Sequence, residues 1–429
     1  MKRPPVLAFL VLLVPFLTGS VNGQSPGHQG HWPQWRGTAR DGLSNDTGLL
    51  QQWAEPGPPL LWTATGLGPG HSTVSVVAGT IYTMGEQDGQ GHLIALAEQN
   101  GTAKWTVAVG EGRPLATPTV DNGQVFALGS FGDLVCVDAT GGNELWRLNI
   151  VETFQGVQAN NVGYSESPLV DGDRVVITPG DQSAIMVAVD RTTGDLLWKA
   201  DMHDYPGEIG EEGANGAGFS SIVVSRACGV RQYVQLTGRG VISVRADDGK
   251  ILWVYNRVAN PLGVIATPVV HEDFVFCSTA YNTGSALLRV VPDESDVQVE
   301  EVYFLEPKVM QNHHGGMVLV GEHIYCGHGQ NSGLPLCVEM RTGKVVWRPG
   351  RGPGTGSAAV AYADGHLYFR YEDGLIALIE ATPEKYLLKG TFMMGSTLEK
   401  SWPHPVITGG RLYLRDDDAL LCYDVRQRK

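Results

Sequence analysis

A pair of histidines followed by two glycines is the sequence feature best suited to chemistry. It stands in Asn312-His313-His314-Gly315-Gly316, at a predicted junction between a loop and a strand. Imidazole nitrogens ligate metals and hydrogen-bond to ligands. A metal needs a third ligand, for which His404 and Glu166 are the candidates; the alternative is that one histidine caps the strand and the other is solvated. We therefore expect His313, His314 and His404 to contact a ligand, and we assign no metal site.

A second polar segment lies upstream and carries a carboxylate. Asn161 and Tyr164 precede Glu166 in a long predicted loop and are candidate ligand-binding residues. At the mouth of a channel, Glu166 can act as a general base that takes a proton from an alcohol. The alternative is that Glu166 accepts hydrogen bonds from backbone amides at the edge of a sheet.

Arg370 and Trp402 complete the set of candidate ligand-binding residues. The guanidinium of Arg370 can clamp a carboxylate, or it can pair with the acidic residues that follow it in the sequence. Trp402 lies two residues before His404 and can face a channel. A serine hydrolase is not indicated, because Gly-x-Ser-x-Gly is absent.

The elements that must position these residues repeat along the chain. An apolar strand, a turn with Gly and a second strand with Trp four residues after that Gly recur five times, at Trp105, Trp146, Trp198, Trp253 and Trp347. Glycine supplies the positive φ of a tight turn, and each Trp ring must be buried against a neighbouring copy. We therefore expect these tryptophans to dock one repeat on the next.

Eight copies of a four-strand pattern can be counted, and the last one stops before its fourth strand. An unpaired N-terminal strand carries Trp62 and can supply what is missing, since a closed ring leaves no sheet edge exposed. The sequence predicts an all-β protein with a single eight-bladed propeller of four antiparallel strands per blade. Val302 and Leu388 are assigned to the Trp position in the fifth and seventh copies. Long loops at 150–166, 200–219, 306–315 and 394–403 are expected on one rim.

Composition and the N-terminus bear on partners and location. The net charge of −14 and the lack of a basic cluster argue against a nucleic-acid partner. Residues 1–23 have the basic start, apolar run and small-residue end of a signal peptide, so 24–57 are expected to form an N-terminal extension and 58–429 the propeller. We expect an exported, periplasmic or extracellular monomer with no transmembrane segment or lipid anchor. Cys326 and Cys337 flank one predicted hairpin and are the pair to test for a disulfide.

The repeats resemble the PQQ-type, tryptophan-docking blades of quinoprotein dehydrogenases and of the assembly lipoprotein BamB. The resemblance rests on the Gly-x-x-x-Trp repeats, on Trp32-Pro-Gln-Trp-Arg-Gly, on Gly163-Tyr-Ser-Glu-Ser-Pro168 and on Asn312–Gly316. It implies a PQQ-like propeller and makes PQQ with calcium a possible cofactor. The chain departs from the dehydrogenases, because it has no adjacent cysteine pair and no complete set of calcium ligands.

Three functions are open, of which a hydrolytic or metal-dependent enzyme that uses the His pair is the least favoured. The first is a non-catalytic module that uses its rim loops to bind a protein or a saccharide-like small molecule. The second is a PQQ-dependent alcohol or sugar dehydrogenase with the quinone over the central channel. The missing cysteine pair and calcium set favour the first. Convergence of charged groups over a flat aromatic surface would favour the second.

Overall fold

The computed structural model describes residue 1 and residues 30–294, 296–394 and 402–428. The predicted signal peptide therefore lies almost wholly outside the described residues. None of the described helices has the length and hydrophobicity needed to cross a membrane.

In the described residues, thirty-two strands form eight four-stranded antiparallel sheets, which confirms the predicted propeller. The first strand is β1 (Leu60–Ala64). Blades 1 and 2 contain β2 (Ser75–Val77), β3 (Thr80–Gln87), β4 (Gln90–Ala97), β5 (Ala103–Glu111), β6 (Thr119–Asp121), β7 (Gln124–Leu128), β8 (Asp133–Asp138) and β9 (Glu144–Asn149). Blades 3 and 4 contain β10 (Leu169–Asp171), β11 (Arg174–Ile177), β12 (Met186–Asp190), β13 (Leu196–Ala200), β14 (Val223–Ser225), β15 (Gln232–Thr237), β16 (Gly240–Arg245) and β17 (Ile251–Tyr255).

The second half of the chain repeats this order. Blades 5 and 6 contain β18 (Val269–His271), β19 (Phe274–Thr279), β20 (Gly284–Pro292), β21 (Val297–Leu305), β22 (Asn312–Val320), β23 (His323–His328), β24 (Leu334–Glu339) and β25 (Val345–Trp347). Blades 7 and 8 contain β26 (Ala358–Ala363), β27 (His366–Tyr371), β28 (Leu375–Glu380), β29 (Leu388–Met393), β30 (Val406–Thr408), β31 (Arg411–Asp416) and β32 (Ala419–Asp424). Helical structure in the described residues is limited to α1 (Ile150–Phe154) and two short 3-10 turns, Met202–Asp204 and Ala227–Gly229.

The two ends of the chain close the ring as the sequence predicts. Strand β1 pairs with β32 as the outer strand of blade 8, and Trp62 lies opposite Cys422. Neither part could cover its sheet edge alone, so the pairing removes an exposed edge from each.

The Gly and Trp of the repeat meet across neighbouring blades. Gly142 has a φ of 73°, and a Cβ added there would lie 2.7 Å from the ring of Trp105 in the preceding blade. The Asp138 carboxylate holds the same turn by accepting hydrogen bonds from the backbone amides of Thr140, Gly141 and Asn143. Glycine is therefore required both by the turn and by the close approach of the docking ring.

The docking position in blades 5 and 7 differs from our sequence assignment. Trp146 lies opposite Cys136 of its neighbouring strand, after a bulge. The same register places Tyr303 opposite Leu287 in blade 5 and Gly390 opposite Leu378 in blade 7. The assignment of Val302 and Leu388 was wrong, because the bulge adds a residue that cannot be counted without a Trp as marker. Both side chains are exposed.

The proposed pair Cys326 and Cys337 does not form a disulfide; all six cysteines, which lie within the described residues, are free. Cys326 pairs with Leu336 and Cys337 with Tyr325, at adjacent positions of the β23–β24 hairpin. Adjacent positions point to opposite faces of a sheet, so the two thiols belong to different hydrophobic clusters.

Candidate functional site

A pocket of about 260 Å³ opens at the mouth of the central channel. Seven of the eight blades line it. Six contribute residues that precede their first strands, namely His71, Leu115, Ser165, Phe219, Ile265 and His404, and blade 6 contributes His314 from within its first strand, β22. Its position explains why residues far apart in sequence meet there. In a propeller, the first strands of all blades surround one axis.

The N-terminal segment, residues 30–44, runs through the channel beneath this pocket. Trp32 forms an antiparallel bridge with Val76 of blade 1, and Leu43 a parallel bridge with Tyr362 of blade 7. The buried guanidinium of Arg40 donates hydrogen bonds to the carbonyls of Ile222 and Ser167 at 2.9 and 3.0 Å. The segment therefore ties opposite sides of the ring together.

Trp35 and Arg36 of this segment line the pocket. The Arg36 guanidinium is buried and donates hydrogen bonds to the carbonyls of Asp41 and Met317. Burial lowers its pKa to about 10, so it stays charged at neutral pH. The Trp35 ring lies 4.5 Å from the ring of His404, between centroids.

His404 lies between two hydrogen-bonding partners that determine which nitrogen of the neutral imidazole carries the proton. Its Nε2 lies 3.1 Å from the carbonyl oxygen of His314, so this nitrogen carries the proton. Its Nδ1 then accepts from Arg36, 3.5 Å away. Burial, followed by the charge of Arg36, lowers the pKa of His404 to about 3.

Trp402 lies between two imidazole rings on one wall of the pocket. The His314 ring is stacked on it at 4.4 Å and 20°, and the His71 ring lies 4.6 Å away at 38°. Trp402 Nε1 donates to Glu372 Oε1 at 2.7 Å. Burial and the charges of nearby arginines lower the pKa of His71 to about 4. This wall is aromatic and polarisable.

The opposite wall is apolar. It consists of Leu115, Val162, Phe219, Leu262 and Ile265. Val162 and Leu262 are 61% and 63% exposed and form apolar lips at the opening.

A hydrogen-bonded chain lies behind the pocket. The hydroxyl of Tyr281, which lines the pocket, is 2.9 Å from His313 Nε2. His313 Nδ1 is 2.7 Å from Ser357 Oγ, which also lies 3.3 Å from His314 Nδ1. His313 is buried, and burial lowers its pKa to about 4. The two adjacent histidines therefore belong to one network.

The remaining sequence candidates lie elsewhere. Glu166 is buried between blades 3 and 4, where it accepts hydrogen bonds from Thr178 Oγ1 at 2.8 Å and Gln235 Nε2 at 2.9 Å. Burial raises its pKa to about 7. Tyr164 is buried, its hydroxyl donating to the Pro179 carbonyl.

Asn161 and Arg370 are also outside the pocket lining. Asn161 is exposed on its loop. Arg370 is buried, pairs with Asp416 at 3.1 Å and donates to the carbonyl of Pro403 at 2.8 Å, next to His404. Of the predicted site residues, His314, Trp402 and His404 therefore line one pocket, with His313 behind it.

The lining residues that sequence reasoning missed include Trp35, Arg36, His71 and Tyr281. Trp35 and Arg36 stand in Trp32-Pro-Gln-Trp-Arg-Gly, a motif that carries the family resemblance but contains no predicted site residue. His71 and Tyr281 could have been found from their positions, directly before a first strand and between a second and a third strand, where loops reach the rim.

A family model described as outer membrane protein assembly factor BamB matches residues 89–349. The chain belongs to this BamB family. No curated protein matches the sequence. BamB from Moraxella catarrhalis superposes with a TM-score of 0.60 at 11% identity, covering 89% of this chain and 99% of that one.

Other solved structures superpose equally well on this BamB-family propeller. The quinohemoprotein alcohol dehydrogenase from Comamonas testosteroni gives a TM-score of 0.62 at 12% identity, covering 93% of this chain and 81% of that one. The computationally designed Ika8 protein gives 0.60 at 10%, with 86% and 100% coverage. Such similarity shows a shared fold and does not distinguish between functions.

Among the described residues, the pocket of this BamB-family chain lacks the ligands that PQQ with calcium would need. Among the described residues, no group of three or more His, Cys, Asp or Glu side chains can hold a metal ion. The described lining contains no carboxylate to ligate calcium, and its one permanent cation, Arg36, already donates to backbone carbonyls. A quinone with several carboxylates would meet few cations here.

Proposed function

We propose that this BamB-family propeller is a non-catalytic binding module whose pocket holds an uncharged ligand with an apolar or aromatic body. One observation carries the proposal: described walls of aromatic and aliphatic side chains enclose a cavity in which His71 and His404 are held neutral. Pockets of this kind bind small molecules by burying apolar surface, with a few polar groups fixing orientation.

The exposed lips support binding from outside the ring. Asn160 Nδ2 lies 3.4 Å from the Leu262 carbonyl, so two loops from different blades meet beside the pocket. Apolar lips continuous with an apolar wall let a ligand bury surface as it enters. The ligand could be a free molecule or a group displayed by a protein partner, as the BamB family description suggests. We further propose that the mature chain is exported and monomeric.

The competing function is that of a PQQ-dependent oxidoreductase. It is favoured by the aromatic surface of Trp35 at the channel mouth. Glu166, the candidate base, lies outside the pocket lining and its carboxylate is bound by Thr178 and Gln235.

Calorimetric titration distinguishes the two functions. We would titrate the protein with PQQ, with and without calcium, and separately with 2-naphthol as an uncharged aromatic probe. The proposal predicts saturable binding of 2-naphthol and none of PQQ in either condition. Calcium-dependent PQQ binding, with no 2-naphthol binding, would overturn it in favour of the oxidoreductase.

A further inference from the structure

Tyr281 occupies a backbone position that disfavours tyrosine. It is the first central residue of the turn between β19 and β20, where Thr283 N donates to the Ala280 carbonyl. Tyr281 and its neighbour Asn282 have φ values of 56° and 61°. Turns with two such residues prefer Asn, Asp or Gly, because other side chains clash with the backbone in this region. A bulky residue with positive φ is strained, and such strain is often found at functional sites.

The strained turn delivers the tyrosine ring to the pocket. The ring lines the cavity and meets the His313 ring edge-on, with 5.1 Å between the centroids. It also lies close to Gly263, where an added Cβ would be 3.1 Å from the tyrosine ring. Asparagine or glycine would suit the turn better but would not reach His313.

The hydrogen bonds from Tyr281 to His313 and from His313 to Ser357 allow the Tyr281 hydroxyl either to donate to a ligand or to accept from it. A neutral His313 has one protonated and one bare ring nitrogen. If Nε2 is bare, it accepts from Tyr281, whose oxygen can then accept from a ligand. If Nε2 carries the proton, it donates to Tyr281, whose own proton can be donated to a ligand. Ser357, 2.7 Å from His313 Nδ1, can donate or accept and so matches either arrangement.

We propose that Tyr281 is the polar anchor of the pocket and selects ligands that carry a hydroxyl or carbonyl group on their apolar body. This inference rests on the proposed binding function and names the ligand class of the same site. The strain of the turn is explained because the tyrosine side chain, with its terminal hydroxyl, links the cavity to His313.

The test compares two probes that differ by one hydroxyl, 2-naphthol and naphthalene, by equilibrium dialysis. In Tyr281→Phe, which keeps the ring, we expect 2-naphthol affinity to fall about tenfold and naphthalene affinity to stay unchanged, since one hydrogen bond is lost. Tyr281→Asn should unfold at the same or a higher denaturant concentration than the wild-type protein, and it should also lose the preference for 2-naphthol over naphthalene. Loss of the preference without loss of stability separates ligand contact from folding. Tyr255→Phe is the matched control, because its hydroxyl contacts Glu301 outside the pocket.

The outcomes separate this inference from the function on which it rests. If both probes bind and Tyr281→Phe weakens neither, the anchor is overturned while the binding pocket stands. If the wild-type protein binds neither probe, the proposed function fails and the anchor with it.

Discussion

Trp53 lies against Gly390 of the seventh blade, where the docking Trp of that blade is missing. The carbonyl oxygen of Trp53 lies 2.5 Å from the position that a Cβ would take at Gly390. Its ring contacts those of Tyr368 and Phe392, with centroids 5.6 and 5.3 Å apart, and belongs to a cluster shared by blades 7 and 8. The N-terminal extension thus supplies the ring that the repeat lacks.

Replacing Trp53 with alanine should lower the free energy of unfolding by about 3–5 kcal/mol, the range for a buried Trp. Its ring is only 5% exposed, so the substitution leaves a cavity between blades 7 and 8. Urea unfolding measures the effect. Leu388→Ala, at an exposed position of the strand that contains Gly390, is the control and should cost well under 1 kcal/mol. Equal losses in the two variants would show that Trp53 does not dock these blades.

Gly142→Ala tests the contact between a turn glycine and the docking ring of the preceding blade. The new Cβ would lie 2.7 Å from Trp105, in addition to the cost of a positive φ, so we expect a loss of about 2–4 kcal/mol. Gly123→Ala has a similar φ, 78°, but nothing within 4 Å of its Cβ, and should cost about 1 kcal/mol. Thermal and urea unfolding of both variants measure the difference. A loss for Gly142→Ala no larger than that for Gly123→Ala would contradict the role of the ring contact.

Glu166 should make stability depend on pH. Its folded pKa of about 7 lies above the ordinary glutamate pKa of 4.5, mainly because of burial, although hydrogen bonds and the charge of Arg40 favour the ionised form. The folded state therefore holds a proton that the unfolded state releases. Stability from this group is complete below about pH 4.5 and is lost as pH rises to about 7, by about 3 kcal/mol.

Glu166→Gln should remove this dependence, because glutamine keeps the shape of the protonated side chain. Urea unfolding at several pH values between 4 and 8 measures it. Wild type should lose stability relative to Glu166→Gln as pH rises. A parallel profile in the two proteins would mean that the pKa of Glu166 is not raised.

Much of the propeller could be predicted from the sequence because the residues that determine each blade are local and repeated. Each Gly-x-x-x-Trp turn is specified within a few residues, and the strand with Trp62 has only one open edge to pair with. Blade 7 departs from the repeat because Trp53, more than 300 residues away, contacts Gly390 in place of a docking Trp within the blade. No local spacing encodes such a contact.

The site was harder to predict than the fold. His314, Trp402 and His404 could be placed on the rim because the sequence puts them where a loop meets the first strand of a blade. Trp35 could not, because its place depends on residues 30–44 passing through a channel that exists only when the ring is closed. The sequence left two roles open for Glu166, since a carboxylate buried between blades and one that faces the rim stand in the same sequence pattern.

A crystal structure of the protein soaked with 2-naphthol tests the central claim most directly. Our account predicts the two rings of the probe between the wall of His314 and Trp402 and the wall of Leu115 and Ile265, with the probe oxygen within hydrogen-bonding distance of the Tyr281 hydroxyl. An empty pocket at saturating probe, or a probe bound only elsewhere on the molecule, would contradict it.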